Sequence, residues 1–287
     1  MSEINVQDPA PPEATPHLEA AGLSKDFATR KGPLRVLDHV DFRVQTNELV
    51  CLVGSSGCGK STLLAIIAGL DVPTEGEVLL DGVPVAGPGP DRGLVFQSYS
   101  LYPWRTVAEN VAFGLELKHL PAAGIEARVA HYLDVMGLTG FADALPAQLS
   151  GGMRQRTAIA RALATEPQVL LMDEPFGALD AQTRQAMQEF LLTVWREVGT
   201  TILMVTHSVE EAVFLSQRLY VMSPRPGRIA AELPVPFGSD RHHALMREAA
   251  FQDLCRQVDE LLRLVPARPD ASVGAPAAGG AGGAQPL

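Results

Sequence analysis

The apolar positions of this chain form short, strand-sized runs that alternate with longer stretches of helical spacing. The short runs lie at 34–44, 49–53, 77–80, 93–96, 168–172 and 201–205. Helical spacing predicts helices at 60–68, from near Met153 to about 164, at 180–198 and onward from Ser208. Ser208 with Glu211 three residues on has the form of a capping box. Residues 81–91, rich in Gly and Pro, predict a turn. Residues 107–145 read as helical with a weaker apolar stripe. Residues 241–264 predict a terminal helix with Leu245, Leu254, Val258, Leu261 and Leu262 on roughly one face. Strands alternating with helices predict a mostly parallel α/β core. There is no internal repeat.

Composition sets limits on this picture. Pro9, Pro11, Pro12 and Pro16 stand among few apolar residues, so 1–16 is expected to be a disordered leader. The Ala/Gly/Pro-rich segment 266–287 is expected to be a flexible tail, which leaves one domain over 17–265. A hydrophobic fraction of 46% is ample for its core. No run approaches the ~20 apolar residues of a membrane span. The start, Met1-Ser2-Glu3-Ile4-Asn5, lacks the pattern of a secretory signal. The expectation is a soluble protein that meets a membrane only through a partner. Cys51, Cys58 and Cys255 form no CxxC pair, which argues against structural zinc or a disulfide framework. A net charge of −10 argues against a general nucleic-acid binder.

Two motifs carry chemistry on the residues alone. Gly54-Ser55-Ser56-Gly57-Cys58-Gly59-Lys60-Ser61-Thr62 lies between an apolar strand and a helix, the context in which a glycine-rich loop cradles phosphates. Lys60 would pair with the β/γ-phosphates of ATP and the Ser61 hydroxyl would ligate Mg²⁺. Cys58 reads either as a reactive thiol near a helix start or as a small filler. The second motif is 169–175, an apolar strand ending in Asp173-Glu174-Pro175. It delivers two acids to the carboxyl edge of the sheet, where ligands of α/β folds bind. Asp173 suits Mg²⁺, and Glu174 suits the attacking water as general base.

Between them stands Leu149-Ser150-Gly151-Gly152-Met153, followed by Arg154-Gln155-Arg156 and Ala158-Ile159-Ala160-Arg161. With the other two motifs, this resembles the ATPase subunit of an ABC transporter over about 18–263. Met153 stands where that signature usually has Gln, leaving the Ser150 hydroxyl and the glycine amides intact. The resemblance implies an α/β P-loop NTPase core with an antiparallel β subdomain and a helical subdomain inserted at about 100–160. It places Gln97 where a glutamine reaches metal and water, and His207 where a histidine contacts the γ-phosphate. Phe27 falls where an aromatic stacks on adenine. Ala178-Leu179-Asp180 falls in the loop facing the opposing subunit. Ser150, Gly151 and Gly152 would then act on ATP held by a second protomer, making the working unit a dimer.

The segments 87–104, 176–184 and 206–228 further resemble importers of nitrate, sulfonate, taurine and similar small nutrients. That implies a permease docked in a groove near Tyr99, Tyr102 and Trp104, a secreted substrate-binding protein, and a peripheral place on the cytoplasmic face of the inner membrane. A soluble ABC ATPase acting on ribosomes or DNA is the alternative; two cassettes, a coiled-coil insertion or a basic arm would favour it, and the sequence has none of these.

Overall fold

A computed structural model describes residues 16–264. The leader expected over 1–16, apart from Pro16, and the tail expected over 266–287 lie outside the described residues.

Two sheets enclose one helix. The larger sheet contains β3 (Leu49–Gly54), β6 (Arg92–Val95), β7 (Val169–Asp173), β8 (Thr201–Thr206), β9 (Arg218–Met222) and β10 (Ile229–Pro234). Their order is β10-β9-β3-β8-β7-β6, parallel except for the antiparallel edge strand β10. β3 and β8 are buried at every position because both faces of the sheet are covered, so continuous apolar runs replace alternation.

The smaller sheet is antiparallel, in the order β2-β1-β4-β5, from β1 (Leu18–Thr29), β2 (Gly32–Val44), β4 (Glu75–Leu80) and β5 (Val83–Pro84). Helix α1 (Lys60–Ile67) buries Leu63, Leu64, Ile66 and Ile67 in the core that also holds the inner residues of the smaller sheet.

On the other face of the larger sheet, a second core joins α2 (Val107–Leu117), α3 (Ala122–Val135), α4 (Gly151–Leu163), α5 (Ala181–Val198), α6 (Val209–Leu215) and α7 (Ala249–Leu264). The stretch expected to be helical over 107–145 is thus two helices, divided before Pro121, followed by single turns at Thr139–Phe141 and Pro146–Gln148. Thr106 and Glu109 close a complete capping box on α2.

Three sequence readings are corrected. β1, β9 and β10 lie in segments that the apolar pattern leaves unassigned. The expected helix 241–264 is a short 3₁₀ turn at His243–Arg247 and then α7, separated by Glu248 in extended conformation. α7 buries Phe251, Cys255 and Val258, while Leu254, Leu261 and Leu262 are only partly buried. Finally, the box at Ser208 is half made. Ser208 Oγ accepts from the Glu211 amide at 3.3 Å, but the Glu211 side chain turns inward to Thr206 and Gln188.

The segment before α7 ties down α5 and α6. Arg241 is buried and donates to the carbonyls of Val213, Phe214 and Ser216, which end α6, and to those of Phe237 and Gly238. His243 stacks on Phe214 with ring centroids 4.4 Å apart, and its Nε2–H donates to the Gln185 carbonyl at 3.0 Å.

Candidate active site

The carboxyl ends of β3, β7 and β8 converge on one cleft because parallel strands deliver their following loops to the same edge. The loop after β3 is shaped by glycine. Gly57 and Gly59 have φ of 79° and 111°, and a Cβ on Gly59 would lie 2.7 Å from Leu37. Gly59 caps α1, so the first amides of that helix point into the cleft. Lys60 is buried along its stem, and Nζ donates to the carbonyls of Gly54 at 2.8 Å and Ser55 at 3.2 Å. Its ammonium stands 3.6 Å from Glu174 Oε1.

Cys58 is buried beneath the loop, its Sγ 2.9 Å from where a Gly54 Cβ would sit. Burial pushes its thiol up, against the pull of the nearby Lys60. Of its two sequence readings, the structure gives it the place of a filler.

β7 ends in the two acids. Ser61 Oγ donates to Asp173 Oδ1 at 3.2 Å, and burial pushes the Asp173 carboxyl above its usual range. Glu174 has left-handed φ, 42°, a conformation that costs of order 1–3 kcal/mol for a non-glycine residue. Its amide donates to the Val205 carbonyl on β8 at 3.0 Å. Its Oε2 lies 2.8 Å from His207 Nδ1, just past the end of β8. A carboxylate oxygen accepts, so Nδ1 carries the proton and Nε2 is left for another partner.

An open cavity of about 530 Å³ is bordered by Ser56, Gly57, Gly59, Lys60, Ser61, Thr62, Gln97 and Glu174. Its polar groups are hard oxygens, the Lys60 ammonium and the Arg225 guanidinium, and its floor is glycine backbone, which suits a magnesium-bearing phosphate chain. The structure therefore brings together Lys60, Ser61, Gln97, Asp173, Glu174 and His207. It does not bring Ser150, Gly151, Gly152 or Phe27 to that cavity. Phe27 lies on β1 with the Lys25 ammonium 5.0 Å from its ring centroid and is about 40% exposed. Ser150 caps α4, its Oγ accepting from the Met153 amide at 3.3 Å.

Sequence reasoning missed several supporting residues. Val36 and Arg225 also line the cavity. The Arg225 loop packs behind the phosphate cradle so closely that a Cβ on Gly227 would fall 2.3 Å from the Cys58 carbonyl. The Pro224-Arg225-Pro226-Gly227 turn is its only signal in the sequence. Arg161, on α4, donates to the carbonyls of Ser100 at 2.7 Å and Tyr99 at 3.2 Å, both residues with left-handed φ. It thus fixes the loop after Gln97 to the helix that begins at Gly151. Asn110, fully buried, exchanges hydrogen bonds with both backbone groups of Tyr102 and organises the aromatic loop.

Comparison with known proteins agrees with this arrangement. The family profile described as ABC transporter matches residues 37–177. The nitrate import ATP-binding protein NrtD of Synechocystis sp. is 50% identical over 253 residues, 86% of this chain and 95% of that protein. The taurine import ATP-binding protein TauB of Burkholderia thailandensis is 52% identical over 83% of this chain and 97% of its own length. Among solved structures, the ATP-binding cassette MJ0796, a dimer in a post-hydrolysis state bound to ADP and Pi, superposes with a TM-score of 0.67. It is 32% identical, covering 77% of this chain and all of that one. A phosphate cradle, two acids and a histidine at one sheet edge, together with relatives matched along nearly their whole length, lead to one assignment: this chain belongs to the ABC transporter family, as one of its ATP-hydrolysing, ATP-binding subunits.

Proposed function

We propose that this subunit works as a dimer on the cytoplasmic face of the membrane and powers a permease importing a small anion or similar nutrient, of the nitrate, sulfonate or taurine kind. The observation that carries the enzymatic part is the hydrogen bond between Glu174 and His207 across from Lys60. The relatives named for nitrate and taurine import support the cargo class.

MgATP is the substrate, and Ser61, Asp173 and Gln97 would hold its metal, which neutralises charge on the phosphates. The amides of 55–62 and the Lys60 ammonium would hold the phosphates themselves. Glu174 then takes the proton of the attacking water, and His207 orients Glu174 through Nδ1–H; in its doubly protonated form it would also donate from Nε2–H to a γ-phosphate oxygen. Ser150, Gly151 and Gly152 lie outside this cavity in their own protomer, at the positive end of α4. That arrangement supports their acting on ATP held by a second copy, and the dimeric state of the MJ0796 structure is consistent with it.

No helix among the described residues is long and apolar enough to cross a membrane; the family context supports a permease as the partner that does. Trp104 is about 74% exposed beside Tyr102, which packs on Phe113 at 4.6 Å. An exposed tryptophan on a rigid aromatic base suits a docking anchor. A substrate-binding protein outside the membrane would deliver the cargo.

The test is uptake of labelled nitrate, sulfonate and taurine by host cells lacking this gene. Restoration by the wild type and not by Lys60→Ala is the expected result. Unchanged uptake of every such anion, with hydrolysis stimulated by ribosomes or DNA, would move the protein to the macromolecule-acting class.

A further inference from the structure

Glu211 is a buried carboxyl that the chemistry above does not use. It lies in the first turn of α6, and both its oxygens accept hydrogen bonds. Gln188 Nε2, from α5, donates to Oε1 at 2.9 Å, and the Thr206 hydroxyl donates to Oε2. Thr206 Oγ1 in turn accepts from the Ser208 amide at 3.1 Å. His207 is therefore flanked on both sides by residues that Glu211 fixes, one directly and one through a hydroxyl.

A small cavity of about 70 Å³ separates this network from the reacting groups, lined by Glu174, Phe176, Gly177, Arg184, His207 and Glu211 among others. Gln188 belongs to the helix that Asp180 caps, and Arg184 of the same helix donates to the Phe176 and Leu179 carbonyls. The loop 176–180, the helix after it and the histidine are thus joined at one carboxyl.

We propose that Glu211 is a positioning residue for hydrolysis: by accepting from Gln188 and Thr206 it holds His207 against Glu174 and ties that contact to the loop 176–180. The inference rests on the hydrolytic roles given above to Glu174 and His207. A misplacement of about 1 Å at such a site costs on the order of 10²-fold in rate. Burial pushes the Glu211 carboxyl above its usual range, while the Thr206 and Gln188 donors and the charges of Arg184 and His207 pull it back.

The experiment compares Glu211→Leu, Glu211→Gln and Thr206→Val in the full-length protein, reading kcat and MgATP affinity separately. Leu fills similar space but accepts nothing, so kcat should fall roughly 10–100-fold with MgATP affinity unchanged. Gln can accept from Thr206 while its amide donates to a rotated Gln188 amide, and should bring kcat back to within about threefold of wild type. Thr206→Val removes the same link from its other end and should match Leu. It decides the matter if Glu211→Leu does not fold.

Wild-type kcat in a folded Glu211→Leu or in Thr206→Val overturns the inference and leaves the ATPase reading standing. Equal losses in Leu and Gln overturn it as well, since they would make charge the working property. A wild-type protein that does not hydrolyse MgATP removes the ATPase reading and this inference together.

Discussion

His207 Nδ1 lies 2.8 Å from Glu174 Oε2, although the two residues follow different strands and are 33 positions apart in the chain. The adjacency of β7 and β8 in the sheet, with Asp173 in register with Val205, creates this contact. Replacing His207 by Ala should therefore lower kcat by on the order of 10²-fold through loss of orientation, with MgATP binding nearly intact. Equal, severe loss of binding in the variant would show instead that the histidine serves the nucleotide rather than the base.

Glu174→Gln keeps the shape of the side chain and removes the base. Hydrolysis measured together with the permease should drop by about 10²–10⁴-fold while MgATP remains bound. Turnover above half of wild type would remove Glu174 from the role of base.

The chain's lysines separate cleanly by position. Lys60 is clasped by the carbonyls of Gly54 and Ser55, whereas Lys25 pairs with Asp71 and Lys118 donates to the Thr165 carbonyl. Nucleotide titration should show Lys60→Ala losing at least about tenfold in affinity, or about 1.4 kcal/mol. Lys25→Ala, Lys31→Ala and Lys118→Ala should lose far less, and equal mild losses across all four would sink the cradle.

The three cysteines are buried, and burial pushes their thiols up, that of Cys255 to about 11. A thiol-specific dye near neutral pH should leave the native protein untouched and count three thiols after unfolding. Rapid labelling of one native thiol, prevented by MgATP, would restore the reactive reading of Cys58.

Sharing of sites between protomers has its own test. In a background free of native cysteines and carrying Glu174→Gln, cysteines placed at Ser56 and Ser150 should crosslink between subunits only with ATP. Their failure to do so would leave each protomer with its own complete site.

The parts of the fold legible in the sequence are those whose apolar pattern is undisturbed. β3, β7 and β8 read as continuous runs because two layers cover them. β1 does not, since its register with β2 shifts at several points around Gly22, which has φ of 57°, and a shifted register breaks the alternation of faces. β10 hides for another reason, being a half-exposed edge. In the site, Lys60, Ser61, Asp173 and Glu174 are legible because each sits in a local motif. Arg161 and Glu211 act through contacts with distant backbone or with side chains of neighbouring elements, and Arg225 reaches the cavity from a loop far along the chain, for which one sequence offers no spacing to read. Glu211 was visible to the pattern, but in the wrong role, because a capping box and an inward-turned carboxyl share the same four letters.

Arg241 supplies the donors for the last carbonyls of α6 from 25 to 28 residues further along the chain. Synthesis runs from the amino end, so His207 and its helix leave the ribosome before the side chain that closes them. Until Arg241 follows, the carbonyls of Val213, Phe214 and Ser216 have only water to bind. The end of the histidine's helix thus gains its side-chain donors only once residue 241 has been made, which couples the close of the site's supporting helix to the last quarter of the chain.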